Sequence, residues 1–278
     1  GGNGKTPFVI ALSQTLAQKG YKPGIVCGGY KGQLRGHQAH LLSEHSTAKA
    51  YGDEAVLIYQ KTSCPVVICK KRAHGVQKLI NQGCDIILSD DGLQHLALKP
   101  DKTFIVINHN RKMGNGLCLP AGPLREPDSI LSKADLIIYK MGTAPPMNNQ
   151  MPDYCFYYTI TSIYNCHNPE QTIDIQALKA HQDIIAATGL GDPQHFFQLL
   201  SHHGIAFTSK VFPNHHHWQQ SDLQGCNQAD NILLITEKDA VKCKHLDVQN
   251  LFVVAIDVHM SPALHQAMNH LIARCLPL

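Results

Sequence analysis

Apolar residues along this chain of 278 residues follow two patterns that predict different elements. Short uninterrupted apolar runs predict buried strands at residues 22–27, 66–68, 85–89, 104–108 and 135–139. Apolar residues that recur every three or four positions, as Val9, Leu12 and Leu16 do, predict a helix over residues 7–19, and residues 72–82 form a second helical segment. Strands that alternate with helices in this way predict an α/β fold with a mostly parallel sheet.

The second half of the chain repeats the alternation on a smaller scale. A β-rich segment at residues 154–163 precedes predicted strands at 183–187, 232–235 and 252–256 and a predicted helix at 193–203. Between the halves, residues 142–152 are rich in proline and carry no charge, which is typical of a linker. We therefore predict two domains, residues 1–148 and residues 149–278, the second being smaller and including a β-rich linker at about 152–165.

The first residues, Gly1, Gly2, Asn3, Gly4, Lys5 and Thr6, match the end of a phosphate-binding loop. Glycines let consecutive backbone N–H groups point into one concavity, and the following helix adds the positive end of its dipole. Lys5 would reach the outer phosphates of a nucleotide, and the Thr6 hydroxyl can bind Mg²⁺. The same letters also suit a plain helix start, capped by Thr6 with Pro7 in the first turn. The phosphate-loop interpretation predicts a P-loop NTPase-like sheet in the first domain.

Two pairs of carboxylates follow in the first half. Asp90 and Asp91 end an apolar strand, which is the Walker-B arrangement for a carboxylate that binds Mg²⁺, although an Asp-Gly turn is the plainer alternative. Asp53 and Glu54 precede an apolar segment, where Asp53 fits a helix N-cap. The same pair could hold Mg²⁺ or accept a proton from a substrate hydroxyl, and the spacing leaves both interpretations open.

Two further segments are candidates for binding a nucleotide. Gln94 and His95 lie on the turn that follows Asp91. Residues 115–127 are too rich in proline and glycine for regular structure, and loops of this kind over a rigid sheet often carry function. Within them, Arg125 could clamp a phosphate through its planar guanidinium.

Composition narrows the class of protein. A net charge of +3 without a dense Lys/Arg block argues against a nucleic-acid partner. Ten cysteines without a C-x-x-C pair indicate reduced thiols rather than a zinc finger or a disulfide framework. The 18 histidines include the run at residues 215–217, but no metalloprotease-type spacing accompanies it, so surface or core-edge histidines are the plainer interpretation.

The motifs together closely resemble the tetraacyldisaccharide 4′-kinases, the lipid A 4′-kinases of Gram-negative bacteria. The resemblance covers essentially the whole chain, with the motifs in the family's order: residues 1–7, 52–54, 90–95, 114–116, 119–127 and 236–242. It implies transfer of the ATP γ-phosphate to the 4′-hydroxyl of a tetraacylated glucosamine disaccharide 1-phosphate. It also implies a protein body on the cytoplasmic face of the inner membrane and an N-terminal anchoring helix that this chain has lost. We expect a monomer.

The resemblance also implies roles for individual residues. Lys5 and Thr6 would hold the phosphates of ATP and Mg²⁺, and Asp53 would be the catalytic base. Glu54, Asp90, Asp91, Gln94 and His95 would complete the surroundings of the metal and the nucleotide. Arg125 would face the transferred phosphate, and His215 would reach the reacting centre from the second domain.

The chain departs from the family pattern at three positions. Gly28 stands where an arginine is expected, Asn214 stands where an aspartate commonly precedes the histidine, and Ala55 replaces a usual proline. The first removes an expected cation, and the second removes a carboxylate that could orient the His215 imidazole or stabilise its charge.

Two other functions compete with the kinase. A P-loop GTPase that delivers metal would explain the histidines, but it needs a guanine-reading N/T-K-x-D sequence, and residues 236–239 carry those letters in the wrong order. A nucleotide-binding regulator without chemistry would bind ATP and never consume it.

Overall fold

The computed structural model describes residues 3–29, 32–33, 36, 38–142, 151–223 and 231–274. Its helices are α1 (Lys5–Gln18), α2 (Ala48–Tyr51), α3 (Asp53–Lys61), α4 (Arg72–Asn81), α5 (Ile175–Lys179), α6 (Gln194–His202), α7 (Glu237–Ala240) and α8 (Pro262–Ala273). Its strands are β1 (Pro23–Cys27), β2 (His40–Leu41), β3 (Val66–Ile68), β4 (Ile86–Ser89), β5 (Phe104–Asn108), β6 (Leu136–Lys140), β7 (Cys155–Asn165), β8 (Ile184–Thr188), β9 (Thr208–Val211), β10 (Ile232–Thr236) and β11 (Leu251–Met260).

The strands of the described residues form two sheets. A four-stranded sheet has the order β2-β3-β1-β4, and a seven-stranded sheet has the order β5-β6-β7-β11-β10-β8-β9. Neighbouring strands are parallel except in the pairs β2–β3 and β7–β11. The prediction of an α/β fold with a mostly parallel, P-loop NTPase-like sheet is confirmed.

Strand β1 is buried along its whole length because helices cover both of its faces. Ile25 and Cys27 pack in one core with Ile10 of α1 and Ile58 of α3, while Val26 packs on the opposite face with Leu79 of α4. A parallel strand enclosed in this way reads as a continuous apolar run, which explains why the sequence reveals it so clearly.

Helix α1 contacts strands from both halves of the chain. Phe8, Leu12 and Leu16 share a core with Ile138 of β6, Phe156 of β7 and Leu264 of α8. The rings of Phe8 and Phe156 stack with centroids 5.4 Å apart. The start of α1 is therefore held against the seven-stranded sheet.

The predicted boundary between residues 148 and 149 separates strands that pair with each other. β6 and β7 are parallel neighbours, with Tyr139 opposite Cys155 and Lys140 opposite Phe156. Most of the predicted proline-rich linker at residues 142–152 lies outside the described residues. The division into two domains stays a prediction.

Candidate active site

The loop before α1 ends in a backbone conformation at Gly4 that favours glycine. Gly4 adopts a left-handed backbone conformation with φ of 82°, and a Cβ atom there would lie 2.5 Å from the Tyr158 hydroxyl oxygen and 2.9 Å from Lys140 Cδ. The helix begins at Lys5, two residues earlier than predicted, because Gly4 rather than Thr6 caps it. Lys5 and Thr6 therefore lie in the first helical turn. Asn3 precedes the cap, and the predicted phosphate contacts Gly1 and Gly2 lie outside the described residues.

Asp90 lies directly beside this helical turn. The Thr6 hydroxyl donates a hydrogen bond to Asp90 Oδ2 at 3.3 Å, and Asp90 Oδ1 is buried without a hydrogen-bond partner among the described residues. Burial, reinforced by the charge of Glu54, raises the pKa of Asp90 from 3.8 to about 6.

This oxygen donor set fits Mg²⁺. A hydroxyl and a buried carboxylate with an unsatisfied oxygen are hard ligands of the kind that Mg²⁺ binds together with water and substrate phosphates. Within the described ranges, no three His, Cys, Asp or Glu side chains are grouped so that they could hold a metal ion. A magnesium ion that shares its coordination with a nucleotide needs no such group.

Asp91 has different surroundings from its neighbour Asp90. Its Oδ1 lies 3.3 Å from Lys5 Nζ, and its Oδ2 accepts a hydrogen bond of 2.6 Å from Arg125 Nη1. Burial acts to raise the pKa of Asp91, but Lys5 and Arg125 outweigh it and hold that pKa below its ordinary value. The predicted phosphate ligand Arg125 is thus brought to the same place as Lys5.

Helix α3 begins at Asp53, so Asp53 is its first residue and not the predicted N-cap, a position that Gly52 takes. The Asp53 carboxylate is directed to another partner. His215 Nδ1 donates a hydrogen bond of 2.8 Å to Asp53 Oδ2. Asp53 and His215 are 162 residues apart in the sequence, and both side chains are almost fully buried.

Cations surround the Asp53–His215 contact. Lys242 Nζ lies 3.6 Å from Asp53 Oδ2 and 3.2 Å from Asp239 Oδ1. Burial acts to raise the pKa of Asp53, but Lys238, His215 and Lys242 together lower it below its ordinary value. Asp53 is therefore a carboxylate anion at neutral pH, and its oxygens can accept hydrogen bonds.

His215 is held in place by its backbone. It has a φ of 62°, which is uncommon for a residue with a side chain, and its N–H donates to the Gly189 carbonyl at 3.0 Å. Strained residues of this kind cluster at functional sites. The loop after β9 thus presents the imidazole to the first turn of α3.

The remaining predicted contacts lie at the edge of the site. Gln94 is exposed and His95 half-buried on the turn after Asp91, where the His95 N–H donates to the Gly92 carbonyl at 3.0 Å. Glu54 Oε1 accepts a bond of 2.7 Å from Lys238 Nζ. The roles of Gln94 and His95 in binding a nucleotide, and of Glu54 in binding a metal, stay predictions.

Comparison with known proteins identifies the family of the chain. The tetraacyldisaccharide-1-P 4′-kinase family matches residues 1–273. The chain belongs to this family. The kinase is 37% identical over 258 residues to the tetraacyldisaccharide 4′-kinase of Coxiella burnetii (strain RSA 331 / Henzerling II), covering 92% of this chain and 73% of the relative. It is 36% identical over 268 residues to that of Legionella pneumophila (strain Lens), covering 96% and 79%.

A solved structure has the same fold as the kinase. It is the "apo" form of LpxK from Aquifex aeolicus in complex with ATP, which matches with a TM-score of 0.75 and 25% identity over 99% of this chain and 84% of that chain. The kinase is thus an enzyme that transfers a phosphate to a hydroxyl group, and the GTPase and metal-delivery alternative is not supported. No helix in the described ranges is long and apolar enough to cross a membrane.

Sequence reasoning assigned no role to several residues that build the kinase site. Lys61, Glu237, Lys238, Asp239 and Lys242 lie where α3 meets α7. Residues 236–242 carried part of the family resemblance, and Thr236 before Glu237 is a recognisable N-cap. The ion-pair partners of Glu237 and Lys238 lie on α3, and Lys242 lies between Asp53 of α3 and Asp239. Only the fold could pair them.

Asp239 organises this part of the kinase. It is fully buried, and its carboxylate accepts hydrogen bonds from the hydroxyls of Thr188 at 2.7 Å and Thr236 at 2.8 Å and from Trp218 Nε1 at 3.3 Å. It also accepts from the Gly189 N–H at 3.2 Å. Because Gly189 in turn binds the backbone of His215, the network fixes the loop that carries the imidazole.

Gly28 stands where the family has an arginine, yet the guanidinium of another arginine lies beside it. Arg72 is buried and donates to the carbonyls of Cys69 at 2.7 Å and Asp90 at 3.1 Å, and a Cβ atom on Gly28 would lie 3.0 Å from its Nη2. The second departure, Asn214, lies against Gly191, whose Cβ would approach Asn214 Nδ2 to 3.0 Å. The carboxylate beside the His215 imidazole is that of Asp53.

Proposed function

We propose that the kinase transfers the γ-phosphate of ATP to the 4′-hydroxyl of a tetraacylated glucosamine disaccharide 1-phosphate, with Asp53 as the base. The observation that carries the proposal is the 2.8 Å contact between Asp53 and His215, two residues from opposite halves of the chain that meet at the first turn of α3. A sugar hydroxyl is a poor nucleophile at neutral pH, so a group within hydrogen-bond reach must accept its proton.

Mg²⁺ would be held by Thr6 and Asp90, where it would neutralise charge on the phosphates of ATP. Lys5 binds the outer phosphates from the first turn of α1. Arg125 stabilises the charge that spreads over the transferred phosphoryl group as its bond to the leaving ADP oxygen breaks and the bond to the sugar oxygen forms. Asp53 takes the hydroxyl proton, and His215 orients the carboxylate through its Nδ1–H. Gln94, His95, Asn3 and Gly4 line the nucleotide.

The proposal also places the kinase at the cytoplasmic face of the inner membrane, where a lipid acceptor is found. Leu96, Leu117 and Leu119 are exposed on the loops that follow β4 and β5. The same loops are joined through the hydrogen bond of Arg125 to Asp91. Exposed leucines beside the site suit contact with acyl chains.

Steady-state kinetics of two single variants and their double variant test the catalytic pair. Asp53→Asn is expected to lower kcat by roughly 100-fold or more with little change in KM for ATP, since only the proton-accepting step is lost. His215→Ala is expected to lower kcat by a smaller factor. The double variant Asp53→Asn/His215→Ala is expected to lower kcat by a factor well below the product of the two single factors. Additive losses would separate the two residues and leave Asp53 acting alone.

The adjacent histidine offers a matched control. His216 Nε2 donates to Asp222 Oδ2 at 2.7 Å, so His216→Ala removes a comparable contact from the same run. It should leave kcat within about twofold if the chemistry belongs to His215. An equal fall in both variants would indicate a general disturbance of the loop.

A further inference from the structure

Asp90 and Asp91 are adjacent carboxylates that have opposite local environments. Asp90 is 6% exposed, touches the Thr6 hydroxyl and keeps one oxygen without a hydrogen-bond partner among the described residues. Asp91 has a side chain that is 43% exposed, and each of its oxygens faces a cation. The two neighbouring carboxylates therefore have different partners, a hydroxyl for Asp90 and two cations for Asp91.

The backbone separates the two side chains. Asp91 has a φ of 52°, in the left-handed region that residues with side chains rarely adopt. The following Gly92 passes so close to Ser89 that a Cβ atom there would lie 2.5 Å from Ser89 Oγ. This tight turn directs Asp90 toward Thr6 and Asp91 toward Lys5 and Arg125.

The cations at Asp91 come from separate parts of the chain. Lys5 belongs to the first turn of α1, whereas Arg125 lies on the long loop between β5 and β6. Arg125 Nη1 lies 2.6 Å from Asp91 Oδ2, and the Arg125 side chain is 50% exposed. A long exposed side chain loses considerable rotamer entropy when it is fixed in one position, so an anchor lowers the cost of ordering it during catalysis.

We propose that Asp91 is a positioning residue that holds Lys5 and Arg125 on either side of the phosphate to be transferred, and that it is not a ligand of the metal. The proposal rests on the proposed phosphoryl transfer. One carboxylate between two cations keeps them apart at a set spacing and leaves a net charge of +1 for the incoming phosphate. Binding of a metal ion by Asp91 would require it to give up one or both of these ion pairs.

The two neighbouring aspartates provide a matched comparison, Asp91→Asn against Asp90→Asn. Mn²⁺ binding in the presence of ATP, followed by electron paramagnetic resonance, reports on the metal site without any turnover. Asp91→Asn is expected to keep the Mn²⁺ dissociation constant within about twofold, whereas Asp90→Asn raises it by roughly tenfold or more. Equal weakening in the two variants would overturn the proposal.

A double-variant cycle with Arg125 tests the positioning role. Asp91→Asn is expected to lower kcat by roughly 10- to 100-fold. The loss in Asp91→Asn/Arg125→Gln is expected to be well below the product of the two single losses, because part of the effect of the carboxylate acts through the guanidinium. Asp91→Glu keeps the charge but displaces Arg125, so it should retain Mn²⁺ affinity and still lose kcat. Additive losses would show that Asp91 acts independently of Arg125 and would contradict the inference.

The same cycle distinguishes failure of this inference from failure of the proposed function. If the wild-type kinase phosphorylated no glycolipid acceptor, the proposed function would fail. The coupling between Asp91 and Arg125 is then read from the affinity for ATP by calorimetry, which needs no acceptor. Absence of coupling in that measurement as well would overturn the positioning role by itself.

Discussion

At the scale of single residues, a buried carboxylate with an unsatisfied oxygen makes stability depend on pH. The pKa of Asp90 is raised from 3.8 to about 6, so the folded protein favours the protonated form and loses stability as pH rises through that range. The shift between the two pKa values lowers the free energy of unfolding by about 3 kcal/mol at pH 8 and by well under 1 kcal/mol near pH 4. Without nucleotide or metal, Asp90→Asn should therefore raise the free energy of unfolding by up to about this amount at pH 8.

Urea unfolding at pH 4, 6 and 8 measures this effect. The gain in stability of Asp90→Asn over the wild type is expected to grow with pH. Asp91→Asn is the control with the opposite sign, since the pKa of Asp91 is lowered by its ion pairs and its charged form stabilises the fold. A gain that stayed constant with pH would mean that the Asp90 carboxylate is not strained by burial.

Residues of the site differ in how far the sequence reveals them. Gly4, Lys5, Thr6 and Asp90 are recognisable because each lies in a local pattern, a loop before a helix or the end of a strand. The contacts of Asp53 with His215 and of Asp91 with Arg125 do not follow from local spacing, since the partners lie 162 and 34 residues away, and only the family resemblance brought His215 to the reacting centre. Ion pairs of that range depend on the packing of whole elements, which no local spacing encodes.

At the scale of elements, α3 and α7 are joined by complementary charges. Glu54 pairs with Lys238 and Lys61 with Glu237, each at 2.7 Å, while Lys242 just beyond α7 faces Asp53. The second carboxylate oxygen of Glu237 accepts a hydrogen bond of 3.2 Å from the Ile256 N–H. The acidic first turn of α3 also suits the positive end of its dipole.

Removal of Lys61 should destabilise the kinase because it leaves the buried Glu237 without its cation. Lys61→Met is expected to lower the free energy of unfolding by about 1–3 kcal/mol, a range below that for a fully buried pair since Lys61 is partly exposed. Chemical denaturation measures the change. Lys102→Met, which breaks the more exposed pair with Asp135, should cost under about 1 kcal/mol. Equal costs would show that burial of Glu237 does not govern the effect.

The apolar strands were predictable because they are continuous apolar runs, and α1, α4 and α6 were predictable because each buries a periodic pattern. Their ends shift by at most two residues, except that β11 extends four residues beyond its predicted end. The two-residue strand β2 and the four-residue helices α2 and α7 were not. Elements this short have little periodicity and form because a neighbour supplies hydrogen bonds or packing. Helix α8 was missed despite Ser261 as its cap and Pro262 at its start.

At the scale of the whole molecule, charge and exposed leucines together predict weak adsorption to anionic vesicles. The net charge of +3 supplies a modest attraction that salt screens. Leu119→Ser should reduce pelleting with vesicles of anionic phospholipid, because it removes an apolar group exposed next to the site, and leave affinity for ATP unchanged. Gln82→Ser, a polar change at the residue that follows the last residue of α4, is the control. Quantitative pelleting that salt does not alter would contradict the prediction.

The β7–β11 ribbon has a consequence for how the chain acquires its structure during synthesis. Phe252 to Met260 pair antiparallel with Asn165 to Phe156, and contacts so distant in sequence slow folding because loop-closure entropy is lost before they form. Since β11 lies between β7 and β10, the seven-stranded sheet closes only after residue 260 has left the ribosome. Nascent chains that end before β11 should therefore be cleaved readily by protease and chains that include it should resist. Synthesis of β11, more than growth of the first half of the chain, would therefore determine when the kinase becomes active.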